Sequence, residues 1–384
     1  MPLEATPLRS RTILIVAGEA SGDLHGAGLV HEMRKREPSL RFVGLGGERL
    51  RAAGMEILVD TAEVATMGIT EVFGSLGRLW RTFRSLVEQM DRDPPALLIL
   101  IDYPDFNLRL ARQARRRGIP VFYFIGPQVW AWRRGRIRQV LERVDRIALV
   151  FPFEPPLYGP PPTGVTRPIA EYVGHPLIDT VRCDRSRAET RARYGLAADR
   201  PLLAILPGSR KKEIRLLLPP ALAAARELRQ RGWQALIALA HTLSREDLEE
   251  AAGGPIDAPV ASDDTYNVLH AADVALVTSG TATLETALLE RPMVIMYRVS
   301  ALSYAIGRAL VRIDHIGMPN IILGRRAFPE VLQSEVTPAR LTTALLDVFE
   351  RRAALQSALI ELREKLGHGG ATARAAELAL ELAR

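Results

Sequence analysis

The run ADVALVTSGTATLETALLERPMVIMY, residues 272–297, constrains this chain more than any other stretch. It opens on a short apolar segment rich in β-branched residues and closes on a second one, MVIMY. Between them Leu284, Ala287, Leu288 and Pro292 fall at helical spacing. Strand, tight turn, helix and strand in that order are the signature of a parallel α/β unit. Ser279-Gly280-Thr281 occupies the turn. Gly280 lets the backbone approach a ligand, and Ser279 and Thr281 can cap the helix and offer hydroxyls. A helix start presents unpaired N–H groups and a partial positive charge, which suits a phosphate or diphosphate. Glu285 follows one turn in, where a carboxylate can accept hydrogen bonds from ribose hydroxyls. An ordinary capped helix would read the same way, so the rest of the chain must decide.

The same grammar recurs. Thr12–Ala17 (TILIVA) is a continuous apolar strand that runs into Gly18-Glu19-Ala20-Ser21-Gly22-Asp23 and then a helix. Neither the G-x-G-x-x-G spacing nor a Walker lysine is present, so a dinucleotide fingerprint and a P-loop are both excluded. Arg41–Gly46 (RFVGLG) is a second strand whose carboxyl end Gly44, Gly46 and Gly47 loosen, and two successive strands ending in glycine-rich turns predict a ligand crevice at that edge. Residues 96–102 (ALLILID) form the strongest strand and end in Asp102-Tyr103-Pro104-Asp105-Phe106-Asn107, with Asn107 expected to cap the next helix. A carboxylate at the carboxyl end of a buried parallel strand lies where such folds bind ligands. Strands over 120–126 and 146–151 close the series.

Proline-rich sequence at 152–162 then marks a boundary, giving an expected first domain of residues 1–178 and a second of 179–384. The second half restarts the alternation at 202–206, followed by Pro207-Gly208-Ser209-Arg210, and continues at 236–240, 274–277 and 294–297. HIGMPNIILG (315–324) reads as a ligand-facing loop, and residues 339–384 as Ala/Leu-rich helices. The expectation is two Rossmann-like α/β domains with terminal helices and a cleft between them. A length of 384 residues agrees, since one core rarely exceeds ~250–300 residues.

Composition removes several classes. One cysteine, Cys183, forbids an internal disulfide and fits a reducing compartment. The first residues lack the apolar core and cleavage site of a signal peptide, and no run reaches the ~18–20 apolar residues of a spanning helix. The expected location is therefore cytoplasmic, with attachment to a membrane surface as the furthest alternative. The seven histidines show no metal-ligand spacing. Asp91-Arg92-Asp93 mimics a metal-binding D-x-D but precedes a strand, at the wrong end of a sheet for a ligand. The net charge of +7 favours an anionic partner. No basic block interleaved with aromatics accompanies it, which argues against nucleic acid. From 69 to 90, Ile69, Val72, Phe73, Leu76, Leu79, Trp80, Phe83, Leu86, Val87 and Met90 advance by three or four, with Arg78, Arg81 and Arg84 off the stripe. Such a helix either packs on the sheet or meets an anionic membrane.

Taken in order, AGEASGDLHGAGL, MGITEVFGSLGRL, IDYPDFN, PQVWAWR, FPFE, YVGHPL, LPGSR, SGTATLE and MPNIILGR resemble the lipid-A-disaccharide synthase family over nearly the whole chain. The resemblance implies a two-domain GT-B glycosyltransferase, with no metal and no cofactor, on the cytoplasmic face of a Gram-negative inner membrane. The implied donor is UDP-2,3-diacylglucosamine and the implied acceptor 2,3-diacylglucosamine 1-phosphate. Asp102, at the position of the family's catalytic aspartate, is then the base for the acceptor 6-hydroxyl, with Asp105 as its rival. Arg210 in LPGSR neutralises the leaving diphosphate, a task suited to a planar guanidinium. Ser279, Gly280 and Thr281 hold phosphate oxygens, Glu285 the ribose, and Asn320 another part of the donor. Glu19, Ser21 and Gly22 face the cleft from the first domain. Trp130 and Trp132 read as packing rather than sugar-stacking residues. Ala20 and Tyr103 stand where related sequences often carry Thr and a small residue. A homodimer, and whether the C-terminal helices pack in their own subunit, stay open. Two rivals remain: an epimerase or peptidoglycan-type transferase on the same fold, of which GEASGD in place of a Gly-Gly turn disfavours the latter, and a non-catalytic basic membrane or nucleic-acid binder.

Overall fold

The computed structural model describes residues 11–61, 72–130, 135–160, 169–300, 304 and 314–384; the side chains of 20 and 72–76 are not among the described ones. The chain divides into two compact units, residues 1–176 with 368–384, and residues 177–367.

The first unit carries a seven-stranded sheet. Its strands are β1 (Thr12–Ala17), β2 (Arg41–Gly46), β3 (Glu56–Asp60), β4 (Leu97–Ile101), β5 (Val121–Phe124), β6 (Arg146–Leu149) and β7 (Ala170–Tyr172), in the spatial order 3-2-1-4-5-6-7. Every pairing is parallel. β1, β4, β5 and β6 are wholly buried, which explains their unbroken apolar sequences: helices cover both faces, so no alternation is needed. The second unit repeats the design with β8 (Leu202–Leu206), β9 (Gln234–Leu239), β10 (Val260–Ser262), β11 (Val274–Thr278), β12 (Met293–Tyr297) and β13 (Glu330–Leu332), in the order 10-9-8-11-12-13 and again all parallel. In each sheet the strand order reverses once, between β1 and β4 and between β8 and β11. At such a reversal the loops after the two strands turn to opposite faces and leave a crevice at the strands' carboxyl ends.

Two expectations change here. The second compact unit does not run to residue 384. The helix Ala371–Ala383 packs against the helix Ala20–Arg36 and β4–β6 of the first unit, burying Ala375, Ala376, Ala379 and Leu380. Arg374 fastens its start, with Nε donating to the carbonyl of Val173 at 2.9 Å, and Arg36 pairs with Glu377 at 2.8 Å. The stretch expected as a loop at 315–324 contains a helix, Met318–Leu323, begun by Pro319 and ended by Gly324 in the left-handed region (φ 68°). The glycine-rich turn after β2 is tied to the helix that follows β1. Asp23 accepts hydrogen bonds from the backbone N–H groups of Gly47 (2.6 Å), Arg49 (3.0 Å) and Leu50 (3.2 Å), so it satisfies the start of the helix Glu48–Ala52 itself.

The stripe over 69–90 begins outside the described residues. Within the helix Val72–Arg92, Leu86 and Met90 are buried and Phe83 meets Phe106 edge-on at 5.7 Å, whereas Trp80 is 60% exposed. Among the described residues no helix is long and apolar enough to cross a membrane.

Candidate functional site

At the reversal of the first sheet, β4 ends in an unusual backbone. Asp102 and Tyr103 both have φ 47°, and Ile125, just past β5, has φ 61°. Non-glycine residues held in the left-handed region cost ~1–3 kcal/mol each and persist only where their surroundings impose them. Here the constraint is visible. Asn107, expected as a helix cap, is instead buried inside the helix Pro104–Arg116. Its Nδ2 donates to the carbonyls of Ile101 (3.2 Å) and Asp102 (2.7 Å). The hydroxyl of Tyr123 donates to the same Asp102 carbonyl at 2.5 Å. Across the crevice a Cβ on Gly18 would sit 2.5 Å from the Tyr103 ring, so only glycine fits against it.

The clamp fixes a carboxyl group with a perturbed charge. Burial, and then repulsion from Glu19, pushes Asp102 up to about 6, with the Tyr103 backbone N–H partly offsetting the rise. Glu19 is exposed at the start of the helix Ala20–Arg36, followed by half-buried Ser21 and buried Gly22, which lies against Ala17 and Ile101. Asp105 sits differently: its Oδ1 accepts from buried Arg136 at 2.5 Å, so its charge is already matched. Asp91 and Asp93 precede β4, at the opposite end of the strands, paired with Arg117 (2.7 Å) and Arg41 (3.4 Å).

Sequence reading passed over Glu154. It is 2% exposed, accepts from the Trp130 indole (3.2 Å) and the Phe151 backbone N–H (3.0 Å), and burial raises it to about 7. Trp130 meets Phe151 and Phe153 edge-on, as a packing residue does. Trp132 lies outside the described residues.

The reversal of the second sheet assembles the other predicted residues. Thr278, at the end of β11, donates through Oγ1 to the carbonyl of Pro207 at 3.2 Å, tying this strand to the loop after β8. That loop carries Arg210, whose side chain is 72% exposed and whose Nη1 donates to Glu213 at 2.8 Å. Glu213 also accepts from the Ser209 backbone N–H at 3.1 Å, which holds the loop in one shape. Gly280 (φ 148°) and Thr281 are exposed at the start of the helix Thr281–Leu288, where first-turn N–H groups have no intrahelical partner. Glu285, on the same helix, is raised by burial and held by a hydrogen bond from Tyr266.

Ser279 and Asn320 are both tied into the protein by hydrogen bonds. The Ser279 hydroxyl donates to the carbonyl of Ile316 at 2.9 Å, so its one proton is committed within the protein. Asn320 is fully buried. Its Nδ2 donates to the Phe328 carbonyl (2.8 Å) and to Glu330 Oε1 (2.8 Å), while its Oδ1 accepts from Ala327 (3.0 Å) and Phe328 (2.9 Å). Glu330 in turn accepts from the backbone N–H groups of Ile316 and Gly317, both at 3.0 Å. Ser279, Asn320 and Glu330 thus brace the wall beside the phosphate-type turn. Glu330 gave no signal in the sequence because it sits alone in a three-residue edge strand.

Comparison with known proteins places this geometry. The chain superposes on the glycotransferase of kitacinnamycin with a TM-score of 0.65 at 17% identity, over 97% of this chain and 99% of that one. It superposes on a UDP-GlcNAc 2-epimerase from Neisseria meningitidis with a TM-score of 0.64 at 11% identity, over 96% and 99%. These likenesses identify the fold, two parallel-sheet α/β domains of the GT-B type. Sequence goes further. A lipid-A-disaccharide synthase of Syntrophus aciditrophicus is 48% identical over 98% of both chains. That of Geobacter sulfurreducens is 46% identical over 97% of both. The family model described as lipid-A-disaccharide synthetase matches residues 13–381, and the chain belongs to that family of glycosyltransferases.

Proposed function

We propose that the chain joins UDP-2,3-diacylglucosamine to 2,3-diacylglucosamine 1-phosphate, with inversion at the anomeric carbon, giving the tetraacyl disaccharide 1-phosphate and UDP. The reaction is the one its family name denotes. What carries the assignment of roles is the carboxyl of Asp102: clamped at the reversal of the first sheet, half-buried, and raised to about 6. At neutral pH such a group is ionised yet basic enough to take a proton, the compromise general-base catalysis favours. Asp102 accepts the proton of the acceptor 6-hydroxyl as that oxygen bonds to C1 of the donor sugar. The bond between C1 and the diphosphate oxygen breaks, and its electron pair leaves with UDP.

Charge therefore builds on the diphosphate. Arg210, exposed at the carboxyl end of β8, supplies a positive group there, and the free N–H groups around Gly280 and Thr281 supply oriented dipoles. Glu285 receives the ribose hydroxyls. Ser279 and Asn320 act as positioning residues behind that surface. Glu19, by its charge, keeps Asp102 basic, and Ser21 and Gly22 border the acceptor side. Both lipid substrates bring the enzyme to an anionic surface, which we assign to the cytoplasmic face of the inner membrane. The exposed Trp80 and the arginines 78, 81 and 84 are the contact.

Mass spectrometry of products from the two purified lipids tests the reading. A disaccharide 1-phosphate formed with stoichiometric UDP is expected. UDP release without acceptor, or an epimerised sugar nucleotide, would overturn it.

A further inference from the structure

A cavity of about 780 Å³ opens on the first unit between the helices Pro104–Arg116 and Arg136–Arg143. Arg109, Arg112, Arg136 and Arg143 line it, with Asp105 its one acidic group and Phe83 an apolar wall. Arg136 is matched by Asp105. Arg109 and Arg112 are exposed and pair with no carboxylate among the described residues. Arg143 commits Nη1 to the Leu108 carbonyl and to Gln139, both at 3.1 Å. Among the described residues, three guanidinium groups without a carboxylate partner therefore share one concavity. Arg109 and Arg112 also sit three residues apart on one helix, a like-charge spacing that disfavours the helix unless something else neutralises it.

The position of the cavity is informative. Its lining includes Pro104 and Asp105, on the first turn of the helix that follows Asp102. Three residues of chain span at most ~11 Å, so Asp105, at this end of the lining, lies within that reach of the proposed base. From Asp105 to Arg112 the helix carries the lining a further ~10 Å along the surface.

We infer that this cavity holds the phosphate monoester of the acceptor, whose 6-hydroxyl is at Asp102 and whose phosphate lies across one sugar ring from it. A phosphate monoester carries −1.5 to −2 charges near neutral pH and matches the planar guanidinium fork better than any singly charged group. The cavity discriminates the acceptor from its dephosphorylated form, and it fixes which end of the sugar faces the base. This assignment rests on the reaction proposed above.

The test uses the full-length enzyme in neutral detergent micelles, with the acceptor 1-phosphate and its 1-hydroxyl analogue compared side by side. Arg109→Ala and Arg112→Ala are exposed changes. Each should raise the acceptor KM about tenfold, with kcat and the donor KM within about twofold of wild type. The double variant should no longer distinguish the two acceptors. Equal losses on both acceptors, or an unchanged KM for the phosphorylated one, would refute the assignment. A defect confined to anionic vesicles and absent in neutral micelles would also refute it, and would mean that the cavity meets bilayer phospholipid. Failure of wild-type enzyme to form any disaccharide would bring down the reaction itself, and this assignment with it.

Discussion

Replacing Asp102 by asparagine should separate stability from activity. The folded protein holds this carboxyl near 6, against 3.8 when unperturbed, a difference of about two units. Each unit corresponds to 1.36 kcal/mol, so at pH 7 the ionised group costs the folded state about 3 kcal/mol. The sign follows from proton binding. Between pH 4 and 6 the folded chain binds more protons at this site than the unfolded chain, so this group's contribution to stability falls as pH rises. Asparagine removes the charge while keeping the shape. Asp102→Asn should therefore match wild type in stability below about pH 4 and gain progressively through pH 4–6. Above pH 6 it should plateau roughly 2–3 kcal/mol more stable, or about 4–12 °C in Tm for a domain of this size. Turnover should fall ~10²–10⁴-fold, because an amide cannot take the hydroxyl proton. Urea titrations at pH 4, 5, 6 and 7.5, with parallel UDP-release assays, measure both. A variant no more stable than wild type at pH 7.5, or a gain independent of pH, would refute the placement of a desolvated carboxylate at this clamp.

Other consequences are independent of that one. Arg210→Ala should lower kcat ~10²–10³-fold, since charge grows on the diphosphate as the bond breaks, whereas Glu285→Ala should act mainly on the donor KM; purely affinity-type effects from both, in steady-state kinetics, would contradict the leaving-group role. Asn320→Ala strands the N–H groups of Ala327 and Phe328 and should cost about 2–4 kcal/mol in denaturant unfolding, and a loss under 1 kcal/mol would show that the brace is dispensable. Arg78, Arg81 and Arg84 reversed together to Glu should weaken sedimentation with anionic vesicles, where each arginine contributes ~1 kcal/mol, and spare activity in detergent. Unchanged vesicle binding would return the helix to a packing role.

The parts of the fold that could be read from sequence are those buried on both sides. β1, β4, β8, β11 and β12 are continuous apolar runs because helices cover both their faces, and the turns after them stand out against that background. The edge strands β3, β7, β10 and β13 escaped notice: three to five residues long, they carry at most a three-residue apolar run and no alternation. Site residues divide in the same way. Asp102, proposed as the base, and Arg210 both follow strong strands, and the resemblance carried by IDYPDFN and LPGSR gives them their proposed roles. The clamp of Asn107 and Tyr123 on the Asp102 carbonyl depends on side-chain direction within a helix and a neighbouring strand. The brace through Glu330 depends on residues 10–50 positions apart meeting in space, and periodicity says nothing of either.

The return of the last helix to the first unit has a consequence for how the chain is made. A chain leaving the ribosome folds its domains from the amino end as they emerge. Here the first unit has all seven strands by residue 172, but the helix that covers β4–β6 and packs on Ala20–Arg36 is residues 371–383. The second unit, residues 177–367, is complete before that cover has been synthesised. Throughout that interval the part of the first sheet that residues 371–383 cover lacks that cover. Loss of the final helix should therefore leave the second unit folded and the first, which holds Asp102, exposed to aggregation and to proteases.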